Sequence, residues 1–215
     1  MSPPASPAPT LVCFAVPQEA RPFQKLICGR SDISLLLTGM GASNAERMIR
    51  AALEKVHPRR VFTCGFAGAL NPNLRIGDVV FATNVSPPIA QRLQSAGAKQ
   101  VVIVCVERIL ITAAEKCALR SQTQADVVEM ESAIIERVCR EAGVECVTLR
   151  AISDTAQEEL PLDFNALMTH DQKLNPLKLA LAILKAPQKI PRLLRLGKNS
   201  SIAAEKLANV LVAAI

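Results

Sequence analysis

The sequence predicts an α/β fold: one three-layer α/β/α domain with a central mixed sheet, closed by a helical C-terminal extension. Three observations carry this. Short apolar runs of strand length alternate with helix-length segments, the pattern of a sheet covered on both faces. Glycine turns follow directly on two of those runs. The chain has 215 residues, 50% hydrophobic and 20% charged, which suits one domain with a substantial core and not a disordered polymer.

The elements follow in order. Residues 1–9, MSPPASPAP, carry four prolines and no basic segment, and read as a disordered tail, not a signal peptide. Residues 11–16 form a short apolar run, a first strand ended by Pro17. Residues 33–38 form a second, closed by Gly39-Met40-Gly41. Residues 42–56 read as a helix with Ala45, Met48, Ile49 and Ala52 on one face. Residues 60–64 make a third strand running into Gly65-Phe66-Ala67-Gly68; residues 78–83 make a fourth and 101–106 a fifth. Residues 112–120 and 132–142 are predicted helices, the second stopped by Gly143. Residues 144–152 form a β-branched last strand. From 165 onward prolines punctuate Leu/Ala/Lys-rich segments without strand signal, and 200–215 is predicted as an amphipathic helix. The chain thus divides into a tail (1–9), a main domain (10–164) and an extension of the same domain (165–215). Loops at strand ends, where α/β sheets bind ligands, fall at 39–41, 65–68 and 153–155.

Composition excludes several function classes. Six Phe with no Tyr or Trp leaves few platforms for stacking bases, which argues against nucleic-acid binding. Seven scattered cysteines without a CxxC pair read as reduced, small hydrophobes of a cytoplasmic protein. Two histidines, His57 and His170, give no metal-ligand pattern, so neither a zinc nor a His-based catalytic site is expected, and nothing in the sequence implies a metal or organic cofactor. No run approaches the ~18 apolar residues of a spanning helix.

Four constellations remain, each with two readings. In VVEMES (127–132), Glu129 and Glu131 stand where a helix begins. They are either charge decoration of its positive end or carboxylates able to accept from a vicinal diol. In RAISDT (150–155), an apolar strand runs into Ser153 and Asp154. Asp154 reads as an N-cap or as an acid facing the crevice beyond the strand ends. The glycine turns at 39–41 and 65–68 are neither a GxGxxG fingerprint nor a P-loop, and taken singly are tight turns. Glu19, just after the first strand, is a solvated helix-start charge or a group that orients and deprotonates water.

Together these features resemble the nucleoside phosphorylase and nucleosidase superfamily, whose members include purine nucleoside phosphorylases and methylthioadenosine/S-adenosylhomocysteine nucleosidases. The resemblance rests on LTGMGASN (37–44), VFTCGFAGALNPNLRIGDVV (61–80), DVVEMESA (126–133) and LRAISDT (149–155), found in the family's order across residues 11–164. It implies cleavage of a purine N-glycosidic bond through an oxocarbenium-like sugar. Glu131 would hold the ribose hydroxyls, with Met130 packed under the sugar. Asp154, placed with the help of Ser153, would serve the purine N7. Glu19 would activate water. Phe66, Ala67, Gly68 and Gly41 would line base and sugar, with Leu110 and Ile111 flanking the base.

Two departures bear on the reaction. Thr63 and Phe66 stand where the family's phosphorylases carry a phosphate-holding arginine and serine. That weakens phosphorolysis and leaves phosphate as a co-substrate only through Arg21 or the backbone N–H groups of 39–41. The stretch 83–127 is short for the family, which implies an open site. Residues 150–164 and 175–198 resemble the hopanoid-associated phosphorylases, which implies release of adenine from adenosylhopane. There, Lys173, Lys178, Lys185, Lys189, Arg192, Arg195 and Lys198 lie among Leu, Ile and Ala. This is either an ordinary solvated face or a peripheral contact with the inner face of an anionic membrane. The alternatives are a nucleosidase acting on a soluble nucleoside, and a catalytically silent nucleoside or lipid carrier. Glu19, Glu131 and Asp154 together favour an enzyme, and the superfamily's habit of sharing sites implies a homo-oligomer.

Overall fold

The computed structural model describes residues 8–169 and 171–215. Most of the segment expected to be a disordered tail therefore lies outside the described residues, as does His170.

Eight strands form one mixed sheet. They are β1 (Thr10–Phe14), β2 (Ile33–Leu37), β3 (Arg60–Ala69), β4 (Val79–Ala82), β5 (Lys99–Val101), β6 (Ile103–Cys105), β7 (Val127–Glu129) and β8 (Glu145–Asp154). The main path runs β2-β1-β3-β8-β4-β5, with β7 pairing both β3 and β6. Pairings β1–β2, β1–β3 and β3–β8 are parallel, whereas β4 runs antiparallel to β8 and β7 antiparallel to β3. Strands β1 and β3 read as continuous apolar runs because both faces are covered.

The helices are α1 (Pro17–Leu26), α2 (Ala42–Val56), α3 (Pro87–Ser95), α4 (Ala113–Thr123), α5 (Ser132–Glu141), α6 (Phe164–Leu167), α7 (Pro176–Lys185) and α8 (Ile190–Ala214). One apolar layer packs α1, α3 and the end of α8 over the sheet through Phe14, Phe23, Phe62, Phe81, Leu207 and Leu211. The opposite layer packs α2 and α5 through Leu11, Ile49, Val61, Ile135 and Val138.

Three expectations are corrected. The fifth strand, expected over 101–106, is two short ones separated at Val102, which stands 46% exposed. The Asp126 carboxylate accepts from the Val102 N–H and so takes up a backbone donor there. Strand β7 and helix α3 had no counterpart among the expected elements. The three residues of β7 are too few to show a period, and prolines at the start of α3 masked a helix they in fact begin. Finally, α8 starts ten residues before the expected helix, and its distal half is core. The expected division at 164/165 falls within α6.

At the C-terminal end of the sheet, β3 and β8 set the geometry. Their register slips between Ala67 and Gly68, so that Ile152 faces Ala67 but Asp154 faces Gly68. A bulge of this kind re-aims a side chain. A Cβ on Gly68 would come within 3.0 Å of Asp154 Oδ2, and one on Gly65 within 2.9 Å of Glu19 Oε1. Both glycines are thus required by close approach of a carboxylate.

Candidate active site

Beyond the strand ends lies a cavity of about 270 Å³, whose walls include Glu19, Phe66, Ala67, Gly68, Met130, Glu131, Ser153 and Asp154. Residues expected at a site from four separate stretches of sequence therefore meet at one place. Gly41 lies just behind this wall, touching it through Glu131. Leu110 lines the cavity as expected, with Ile109 beside it, whereas Ile111 is not part of its wall. The backbone of Ile111 is tied to Glu115 and Leu160.

Glu19 is the third residue of α1 and is buried. Oε2 accepts from the N–H groups of Ala15 and Val16 at 3.0 and 3.1 Å, which closes the start of the helix. Oε1 accepts from the Phe66 N–H on β3 at 2.8 Å. The helix-start reading holds for one oxygen, while the other ties the helix to the cavity wall. Burial pushes the Glu19 carboxyl above its ordinary range, against the pull of these N–H groups and Arg150.

The two glutamates around Met130 divide their duties. Glu129, on β7, accepts from the N–H groups of Glu131 and Ser132 and from the Ser132 hydroxyl. It is the one that serves the start of α5. Burial alone would raise its pKa, but Arg150 and Ser132 hold it below the ordinary value. Glu131 makes no side-chain cap to its own helix. Instead it accepts from the Gly41 N–H at 2.8 Å, ninety residues away in sequence. Burial, with the negative Glu129 nearby, raises Glu131 to about 7.

Arg150 was not singled out in the sequence, although a charge inside the apolar run of β8 was the available signal. It is fully buried, and Nη1 donates to the Thr63 carbonyl at 2.7 Å and Nη2 to Glu129 Oε2 at 2.6 Å. Burial opposes its charge and Glu129 outweighs that opposition. A recess of about 10 Å³ lies against Arg150, Glu19, Glu131, Thr38 and Thr63. That is close to the room one water needs, about 10–15 Å³, and its lining supplies polar partners.

Asp154 ends β8 and caps no helix, since a turn follows it. Oδ1 accepts from the Ser153 hydroxyl at 2.8 Å. Oδ2 accepts from Lys116 Nζ of α4 at 2.5 Å, another residue the sequence reading passed over. The anion cradle expected at 39–41 is largely occupied: the Gly39 N–H donates to Ala15 and the Gly41 N–H to Glu131. Arg21 stands exposed on α1, and Thr63 is committed to Arg150.

A mixed α/β/α sheet with three carboxylates converging on one cavity beyond its strand ends defines the class, an α/β protein with an acidic small-molecule site. The chain belongs to the phosphorylase superfamily, whose family model matches residues 10–98 and 89–185. Aminodeoxyfutalosine nucleosidase of Campylobacter jejuni is 25% identical over 177 residues, 67% of this chain and 77% of that one. A 5'-methylthioadenosine/S-adenosylhomocysteine nucleosidase of an Exiguobacterium species is 28% identical over 197 residues, 76% and 84% of the two chains. The same fold occurs in the crystal structure of the Helicobacter pylori 5'-methylthioadenosine/S-adenosylhomocysteine nucleosidase with butyl-thio-DADMe-Immucillin-A. That structure gives a TM-score of 0.70 at 19% identity, covering 96% of this chain and 98% of that one. The chain is accordingly an enzyme of the nucleosidase and phosphorylase group.

Proposed function

We propose that the enzyme cleaves the N-glycosidic bond of a purine, adenosyl-type nucleoside, with water as the nucleophile. One observation carries the reading: Glu19, Glu131 and Asp154 line a single cavity, with a water-sized recess between Glu19 and Glu131. Glu131, over Met130, accepts from the ribose hydroxyls. Water in the recess adds its oxygen to C1′ and gives a proton to Glu19, whose raised pKa suits a base. The C1′–N9 electron pair passes to the purine, and Asp154 meets N7 with a proton. No metal or organic cofactor is needed for these steps. The engaged N–H groups of Gly39 and Gly41 favour water over phosphate. Adenine release from adenosyl substrates, measured with and without phosphate, tests this. Equal rates are expected, and a strict phosphate requirement overturns hydrolysis. Asp154→Asn is expected to lower release about 100- to 10,000-fold, and unchanged turnover would refute the role of Asp154.

The substrate we favour is a nucleoside carried on a lipid, such as adenosylhopane, presented at an anionic membrane. Leu177, Leu181, Leu184, Ile190 and Leu194 on α7 and the start of α8 stand exposed. They are interleaved with seven lysines and arginines, and no acid occurs from 172 to 204. The same helix brings Leu196 and Ser200 to the cavity wall, so this surface leads to the site. Apolar side chains with basic neighbours are what an interfacial helix presents to anionic lipid. No helix among the described residues is long and apolar enough to cross a membrane.

A further inference from the structure

Among the described residues Lys116 is the only buried lysine, with 1% of its side chain exposed. Its ammonium donates to Asp154 Oδ2 at 2.5 Å, to the Thr155 carbonyl at 2.8 Å and to the Glu158 carbonyl at 3.0 Å. All three N–H bonds have acceptors. With Ser153 on Oδ1, Asp154 is held at both oxygens, one by a hydroxyl and one by a cation. Burying an ammonium costs several kcal/mol of solvation, and apolar pairs commonly replace buried ion pairs without loss. Stability alone therefore gives little reason to aim a lysine at a carboxylate in a cavity wall.

We propose that Lys116 is a positioning residue for departure of the base, acting through Asp154. The proposal rests on the assignment of Asp154 to the purine N7. Asp154 enters the step carrying a proton from solvent on Oδ1, the oxygen that does not face Lys116; as the C1′–N9 bond breaks, its electron pair moves into the purine and that proton passes to N7. Negative charge then grows on the Asp154 carboxylate, where Lys116 already sits at hydrogen-bond distance and keeps its own three protons. A preplaced charge of this kind needs no reorganisation during the reaction. The bonds to Thr155 and Glu158 anchor the ammonium to the turn after β8, which fixes its direction toward Oδ2.

The test compares two leaving groups in Lys116→Met, Asp154→Asn and the double variant, with folding followed by thermal melting. For an adenosyl nucleoside, K116M is expected to lower kcat about 100-fold with KM changed less than about threefold. For 4-nitrophenyl riboside, whose leaving group departs without a proton, the loss is expected to stay below about threefold. In the D154N background K116M is expected to add no further loss, because the interaction it removes is already gone. Should K116M not fold, Lys116→Gln serves in the same comparisons, and the double variant leaves no buried charge unpaired. Equal losses on both substrates, or losses that add in full in the double variant, overturn the proposal and make Lys116 a structural group. If D154N itself leaves adenine release intact, the assignment of Asp154 fails first, and the role of Lys116 falls with it.

Discussion

Arg150 Nη2 lies 2.6 Å from Glu129 Oε2, with 2% and 1% of the two side chains exposed. This buried pair joins β8, in the middle of the sheet, to β7, and Arg150 also lines the recess shared by Glu19 and Glu131. Each charge is tolerated only because the other is present. Removing the cation leaves Glu129 beside Glu131 with no compensating charge. Arg150→Met is therefore expected to destabilise the fold by about 3–5 kcal/mol, read by chemical denaturation at pH 7.5. A loss below about 1 kcal/mol would show that the pair behaves like a surface contact.

Glu131 supplies a pH dependence whose sign follows from its position. Its folded-state pKa of about 7 leaves the group mostly neutral below pH 7 and ionised above it. A vicinal diol is bound by the ionised form. KM for a nucleoside is expected to rise about tenfold between pH 8 and pH 6, with a smaller change in Glu131→Gln. A KM that falls over this range would refute the ribose assignment.

The same shift is a statement about stability. A carboxyl whose pKa rises from 4.5 to about 7 on folding favours the fold at low pH, and that contribution is lost as pH climbs from 4.5 to 7. Glu131→Gln keeps an acceptor for the Gly41 N–H and carries no charge to bury. It is expected to be more stable than the parent by about 2–3 kcal/mol at pH 8 and nearly equal at pH 4. Denaturation curves at the two pH values decide it. The gain accompanies loss of substrate affinity, a trade common at sites built for function.

Gly68 makes room for Asp154, since an added Cβ would meet Oδ2 at 3.0 Å. The carboxylate has little freedom to retreat, being held by Lys116 and Ser153. Gly68→Ala is expected to lower kcat by about 10- to 100-fold through misplacement of the acid, with a thermal midpoint close to that of the parent. Unchanged kcat would mean that the acid tolerates displacement.

The basic, apolar face of α7 and α8 predicts binding to anionic vesicles that weakens with salt. Each nearby lysine or arginine contributes about 1 kcal/mol at such a surface, and the exposed leucines add apolar insertion. Leu184→Glu combined with Lys185→Glu is expected to lower vesicle affinity at least tenfold while leaving hydrolysis of a soluble nucleoside unchanged. Vesicle flotation at low salt measures it, and absence of binding by the parent would dismiss the surface.

Much of the fold was legible in the sequence because its signals are local. Apolar runs at 11–16, 33–38, 60–64 and 144–152 became β1, β2 and parts of β3 and β8, since a strand covered on both faces must be apolar along its length. Strand β7 and the gap between β5 and β6 were hidden, because three-residue strands are defined by their partners and not by a pattern of their own. The start of α8 was hidden likewise, its first half being unpacked and its second half core.

For the site, the sequence by itself determined which acids to consider and the turns that carry them. The tertiary structure decided how they are used. It gave Glu129 to Arg150 and the start of α5, and freed Glu131 to reach Gly41. It kept Leu110 in the wall and put Ile109 there where Ile111 was expected. It also brought Lys116, thirty-eight residues away, onto Asp154. The physical reason is that a carboxylate's state depends on burial and on charges within a few ångströms. Those neighbours come from strands and helices distant in sequence, and only the packing of β7, β8, α4 and the turn at 39–41 around one cavity brings them together.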